Sequence, residues 1–176
     1  MAIVKRYRFF IVTLVMLGVL FLVNKEYGLQ AVHVTGYSLK EMALIIPPIF
    51  IFLGLLDVWV PRETMVRFMG EGSGLKGIVL AFILGSAAAG PLYGAFPIAA
   101  VFMKKGVKFT NILIFIGAWS TTKIPMFLFE LSSLGTKFAI TRLLIDIPGI
   151  IIIAYFLARI MPKEEIKRIY ERAESL

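Results

Sequence analysis

Ser120, Thr121, Thr122 and Lys123 form a continuous polar run inside an apolar stretch, with Trp119 before them and Pro125 just after. Three hydroxyls and an ammonium suggest two chemistries. Ser120 and Lys123 superficially fit a serine–lysine dyad, in which the amine activates the hydroxyl. Nothing else in the chain supports this, since it has no His-Glu-x-x-His helix, no paired aspartates, no nucleophile elbow and no cysteine. No enzyme activity, catalytic residue, metal site or cofactor is expected. The other chemistry is contact with a small anionic solute. A lysine at membrane depth costs several kcal/mol unless it faces a partner, a cavity or the interface. Lys123 is therefore either a solute contact or half of a structural pair. Glu130, seven residues on, and Asp146 are the acids it could pair with, and snorkelling to the interface is a further structural account. The hydroxyls have their own structural account, since Ser and Thr bond back to helix carbonyls.

A second group precedes this one. Gly90, Pro91, Tyr93 and Gly94 interrupt the apolar stretch from Gly77 to Met103, with the small residues Gly85, Ser86, Ala87, Ala88 and Ala89 just ahead and Pro97 just behind. Small residues let a neighbouring backbone approach closely, and proline frees a carbonyl by removing a donor. Two interrupted apolar stretches suggest a solute site built from broken helices, with Tyr93 as a gate or hydrogen-bonding group and Asn111 as a further polar contact. The alternative is tight helix packing with a proline kink.

The elements that position these residues follow from composition. The chain of 176 residues is 59% hydrophobic and 17% charged, with mean hydropathy +0.88, which marks an all-α integral membrane protein. Its net charge of +8 sits at segment ends and not in a basic, aromatic-interleaved groove, so no nucleic acid partner is expected. Apolar runs place spanning helices at about 9–23, 42–60, 110–133 and 140–160 in a membrane domain covering 1–161. The first, preceded by Lys5, Arg6 and Arg8, resembles a signal peptide but lacks a cleavage site, so it reads as an uncleaved, short span. The second contains Pro47-Pro48 and ends at the interface pair Asp57 and Trp59. The lone His33 falls between the first two runs and reads as a loop residue. Pro61 to Gly70 reads as an amphipathic helix on the membrane surface, with Met65, Phe68 and Met69 on one side. Residues 162–176 form a charged tail that rests on anionic headgroups or docks a partner.

Charge counting decides the path of residues 77–103. If they span the membrane, lysines and arginines divide almost evenly between its sides. If they form a re-entrant hairpin turning near Pro91 to Gly94, one side collects Lys5, Arg6, Arg8, Arg62, Arg67, Lys76, Lys104, Lys105, Lys108 and the tail. The other side then keeps only Lys25, Lys40, Lys137 and Arg142. The positive-inside rule favours the hairpin, with both termini cytoplasmic in a multi-pass cell-membrane protein. Each half, at roughly 12 residues or about 18 Å of helix, passes the midplane without crossing.

The run Val60-Pro61-Arg62-Glu63-Thr64, the segment from Gly90 to Val101, Lys104-Lys105-Gly106 and Ala118-Trp119-Ser120 resemble the predicted permeases that include ArsP-like methylarsenite exporters. The resemblance covers roughly residues 45–158. Members commonly carry two related halves, and this chain looks like one half, which implies a dimer. Where another half of such permeases carries cysteines suited to a soft arsenical, this chain has Ser86-Ala87-Ala88-Ala89-Gly90. The strong charge bias favours a parallel homodimer, and a related half-permease is the other candidate partner. The expected function is a permease-like transporter of a small, anionic solute, with the lipid bilayer as its surroundings. The alternative is a non-transporting membrane scaffold or a subunit that requires a partner half. No ATP-binding motif indicates how transport would be driven.

Overall fold

The structure, a computed structural model, describes residues 7–88 and 90–174, with side chains except those of Leu53, Leu56 and Asp57. Lys5, Arg6, Ala89 and the Asp57 side chain, which enter the sequence argument, lie outside the described residues. Among the described residues every regular element is helical. The chain divides into two compact units, residues 1–48 and 49–176.

In the first unit, α1 (Arg8–Val23) has 16 residues, somewhat short of the roughly 20 that cross a bilayer. Asn24 ends it with extended backbone and starts the next helix. Its Oδ1 accepts the amides of Glu26 at 3.1 Å and Tyr27 at 3.2 Å, which satisfies donors that a helix start leaves free. The helix begun there, α2 (Lys25–Trp59), runs for 35 residues and carries Pro47 and Pro48 at the boundary between the units. Residues 25–41, which hydropathy reads as a connection, are therefore helical, and His33 is exposed on a helix and not in a loop. Their polar side chains lower hydropathy without opposing helix formation. Gly28 allows the tight entry, because a Cβ there would collide with the Phe21 backbone.

The second unit is organised around α6 (Phe109–Thr121), whose Ile112, Ile114, Phe115, Ala118 and Trp119 are buried. Before it come α3 (Arg62–Met69), α4 (Gly74–Ala87), a single 3-10 turn at Leu92–Gly94 and α5 (Ala95–Lys104). Helix α3 lies 111° from α4, burying Met65 and Met69 but leaving Phe68 exposed with the charges. Helix α4 runs parallel to α6. Its Gly77 sits beside Asn111, and its Gly85 sits against the Phe115 carbonyl and Ala118, where a Cβ would leave no room. After the break the chain reverses. Gly94 lies near Trp119, and Phe102 meets Phe115 edge-on at 5.0 Å between ring centres. Both ends of the 74–104 segment then meet at α3 and its flanks. Lys105 Nζ donates to the Val60 carbonyl at 2.7 Å, and the Lys108 amide donates to the Met69 carbonyl at 2.9 Å.

Beyond α6, α7 (Ile124–Ser133) leads to α8 (Thr136–Ile160), which returns antiparallel with Ile150 against Gly117. Finally α9 (Lys163–Glu174) docks on α5, burying Ala173 and donating from the Tyr170 hydroxyl to the Val107 carbonyl at 2.6 Å. Burial, and then the nearby Glu71 carboxylate, push the Tyr170 phenol above its ordinary value, so it remains a donor. Arg62, Arg67, Lys76, Lys104, Lys105 and Lys108 thus gather at the same end of this unit as α9, a helix whose four cations and four carboxylates balance. The outer face of α8 exposes Leu144, Ile145, Ile152, Ile153 and Phe156, as a lipid-facing surface requires. Among the described residues three helical stretches are long and apolar enough to cross a membrane: Lys25–Phe52, Phe109–Ser133 (taking α6 and α7 together) and Thr136–Ile160.

Candidate functional site

Two helix breaks meet at the end of α6 away from α3. The first follows α4. Ala88 is extended, Gly90 has φ +106°, and Pro91 is again extended at φ −71°, ψ 158°. Only glycine takes that positive φ without strain. In a continuous helix the Gly94 amide would bond the Gly90 carbonyl, but here it bonds the Pro91 carbonyl at 3.1 Å. The Gly90 carbonyl is left for another donor. Lys123 Nζ reaches it at 2.9 Å and the Trp119 indole N–H at 3.4 Å.

The second break separates α6 from α7 at Thr122 and Lys123, with Lys123 extended at φ −57°, ψ 135°. Pro125 causes it, having no amide hydrogen for the Thr121 carbonyl four residues back. That carbonyl accepts Arg142 Nη2 from α8 at 2.9 Å. At each break a freed carbonyl is therefore taken by a cationic side chain from elsewhere in the unit.

A hydroxyl pair ties the breaks together. Thr122 Oγ1 donates to the Ala118 carbonyl at 3.1 Å, so its single hydrogen is used and Ser86 Oγ must donate to it across 2.8 Å. Thr121 Oγ1 likewise donates back to Gly117 at 2.9 Å. These two threonines follow the structural account of helix back-bonding. Ser120 and Tyr93 are exposed, Lys123 and Pro91 are half-buried, and Gly94 is buried against Ile49 and Trp119.

Asn111 is not part of this group. It is buried eight residues before Trp119, about 12 Å along the helix, and donates to the Met69 carbonyl at 2.8 Å and Ser73 Oγ at 3.1 Å. It clamps the α3–α4 turn. The acids weighed as Lys123 partners go elsewhere. Buried Glu130 hydrogen-bonds and ion-pairs with Arg142 Nη1, and Asp146 Oδ2 lies 3.4 Å from Arg142 Nε. Among the described residues no carboxylate lies within ion-pair distance of Lys123, whose ammonium has three donors and one strong acceptor at Gly90. The arrangement can present a partly free cation, with nearby hydroxyls, at the junction of two broken helices.

Sequence reasoning missed Arg142 as the organiser of the second break and Ser86 as the link between breaks. Arg142 and Asp146, four apart, carried a signal of helical pairing, and Pro125 carried a signal that Thr121 would need a donor.

All-helical architecture, apolar helices of spanning length and outward apolar faces define a multi-pass membrane protein. The chain belongs to the predicted permease family, whose model matches residues 29–175. No curated protein and no solved structure matches the chain. Membership points to a membrane transporter rather than an enzyme.

Proposed function

We propose that the chain moves a small anionic solute across the cell membrane, past the junction of the two helix breaks, as a dimer of half-size units. The supporting observation is the position of Lys123, whose ammonium rests on the Gly90 carbonyl and, among the described residues, has no carboxylate partner. A paired lysine would be structural, whereas a lysine on a single carbonyl keeps donors for a passing anion. In this reading Gly90, Pro91 and Gly94 shape the turn. Lys123 holds charge, Ser120 and Tyr93 offer hydroxyls, and Thr121 and Thr122 fix the second break. The 74–104 segment is a re-entrant hairpin, entering and leaving from the cytoplasmic side with both termini there, as the basic residues at its two ends favour. One unit encloses little volume, so a parallel second copy or a related half-permease completes the path.

Flux in proteoliposomes of known orientation tests this, comparing small oxyanions, organic anions and neutral solutes for wild type, Lys123→Ala and Lys123→Arg. Saturable anion flux should fall at least about tenfold in Lys123→Ala, the scale of one lost charge-assisted contact, and less in Lys123→Arg. Equal flux in wild type and Lys123→Ala would overturn the role of Lys123. Absence of flux for every solute would favour a scaffold or a subunit that needs its partner half.

A further inference from the structure

We propose that the cavity between α9 and the α5–α6 connection binds one anionic phospholipid, its phosphate held by lysines and its acyl chains led onto α8. The cavity measures about 550 Å³ and lies at the basic end of the second unit, opposite the helix breaks. Lys108, Lys163 and Lys167 line it together with Phe109, Ile166 and Tyr170. Glu71 also lines it and pairs with Lys108 at 3.1 Å, and Lys167 lies 3.7 Å from Glu171 outside the cavity. Three lysines against one lining carboxylate leave a net positive wall.

The lining of α9 is periodic. Lys163, Ile166, Lys167 and Tyr170 follow the i, i+3, i+4, i+7 rule and occupy one face. The Tyr170 hydroxyl ties the helix to the Val107 carbonyl, and the two lysines line the cavity beside it. Glu164, Glu165, Arg168 and Arg172 fall outside that arc. This arrangement differs from a helix resting on headgroups, because α9 is fixed to the protein and its basic face overlooks a cavity.

A phospholipid fits better than a free phosphate. Ala158, in the wall, belongs to the spanning helix α8, whose neighbours Tyr155, Phe156 and Leu157 are exposed. A ligand with its phosphate between the lysines therefore has an apolar route towards the bilayer. Basic pockets at the cytoplasmic ends of spanning helices take anionic headgroups for this reason.

Native mass spectrometry of the purified full chain in neutral detergent, titrated with phosphatidylglycerol, phosphatidylcholine or inorganic phosphate, tests the site. One phosphatidylglycerol should bind with preference over phosphatidylcholine, and Lys163→Gln/Lys167→Gln should weaken it on the order of tenfold. The control Arg67→Gln/Lys76→Gln removes the same charge from the same end of the unit but outside the cavity, and should bind as wild type does. Equal binding of the two lipids, displacement by inorganic phosphate, an unaffected lysine double variant, or an equal loss in the control would each overturn the proposal. None of these outcomes depends on whether the chain transports a solute.

Discussion

Replacing Arg142 by methionine keeps most of the side-chain length and removes a cation that hydrogen-bonds two groups and ion-pairs with a third. Glu130, only 6% exposed, would be left as a buried carboxylate, and the Thr121 carbonyl freed by Pro125 would lose the donor that takes it. Asp146 would lose its ion-pair neighbour at 3.4 Å. Removing one partner of a buried pair costs about 3–5 kcal/mol. The Arg142 and Asp146 side chains are 23% and 24% exposed, so the lower end of that range applies to the charges. The stranded carbonyl adds about 1 kcal/mol, for an expected loss of roughly 4 kcal/mol. Equilibrium unfolding in mixed detergent micelles reads this loss, and the double variant Arg142→Met/Glu130→Leu supplies the comparison. Removing both charges should restore all but 1–2 kcal/mol, roughly, because an apolar pair can replace a buried ion pair at little cost. If Arg142→Met unfolds within about 1 kcal/mol of wild type, or the double variant is no better than the single, the bridge between α7 and α8 has been misread.

Two further outcomes follow from single residues. Gly90→Ala places a Cβ at φ +106° and should cost about 1–2 kcal/mol in the same unfolding assay. A change under about 0.5 kcal/mol would mean that the turn relaxes freely. Tyr170→Phe should cost about 1 kcal/mol at neutral pH through loss of its bond to Val107. Because the folded phenol titrates above its unfolded value, that contribution should be constant below about pH 10 and vanish as pH rises through the higher folded value. A wild-type advantage that already shrinks between about pH 7 and 9 would contradict the buried donor.

The helix breaks were legible because glycine and proline act locally. Pro91 and Pro125 remove donors, and Gly90 tolerates a φ closed to other residues, whatever packs nearby. What receives the freed carbonyls was not legible, since that depends on which helix returns beside which. Arg142 illustrates the point. Charge counting set it at one side of the membrane, at the very start of the span over 140–160, but α8 begins six residues before Arg142 and carries it to the second break. Asn111 shows the reverse error, a polar residue in an apolar run that serves a turn and not the candidate site. The helix over residues 25–41 was missed because hydropathy measures burial in lipid, whereas its start is set by the Asn24 cap, a local signal read only once the apolar run is ignored. The exposure of Phe68 depends on how α3 settles against its neighbours, which amphipathic spacing alone does not fix.

The carbonyl that Pro125 frees also constrains how the protein is made. Synthesis makes α6 and α7 before α8, so the Thr121 oxygen exists before the guanidinium that later serves it, and burying it unpaired in hydrocarbon would cost several kcal/mol. The Gly90 oxygen waits in the same way for Lys123, which is translated 33 residues after it. Until those partners are made, each freed oxygen needs water or another donor. Order of synthesis, and not sequence alone, decides when each break becomes stable.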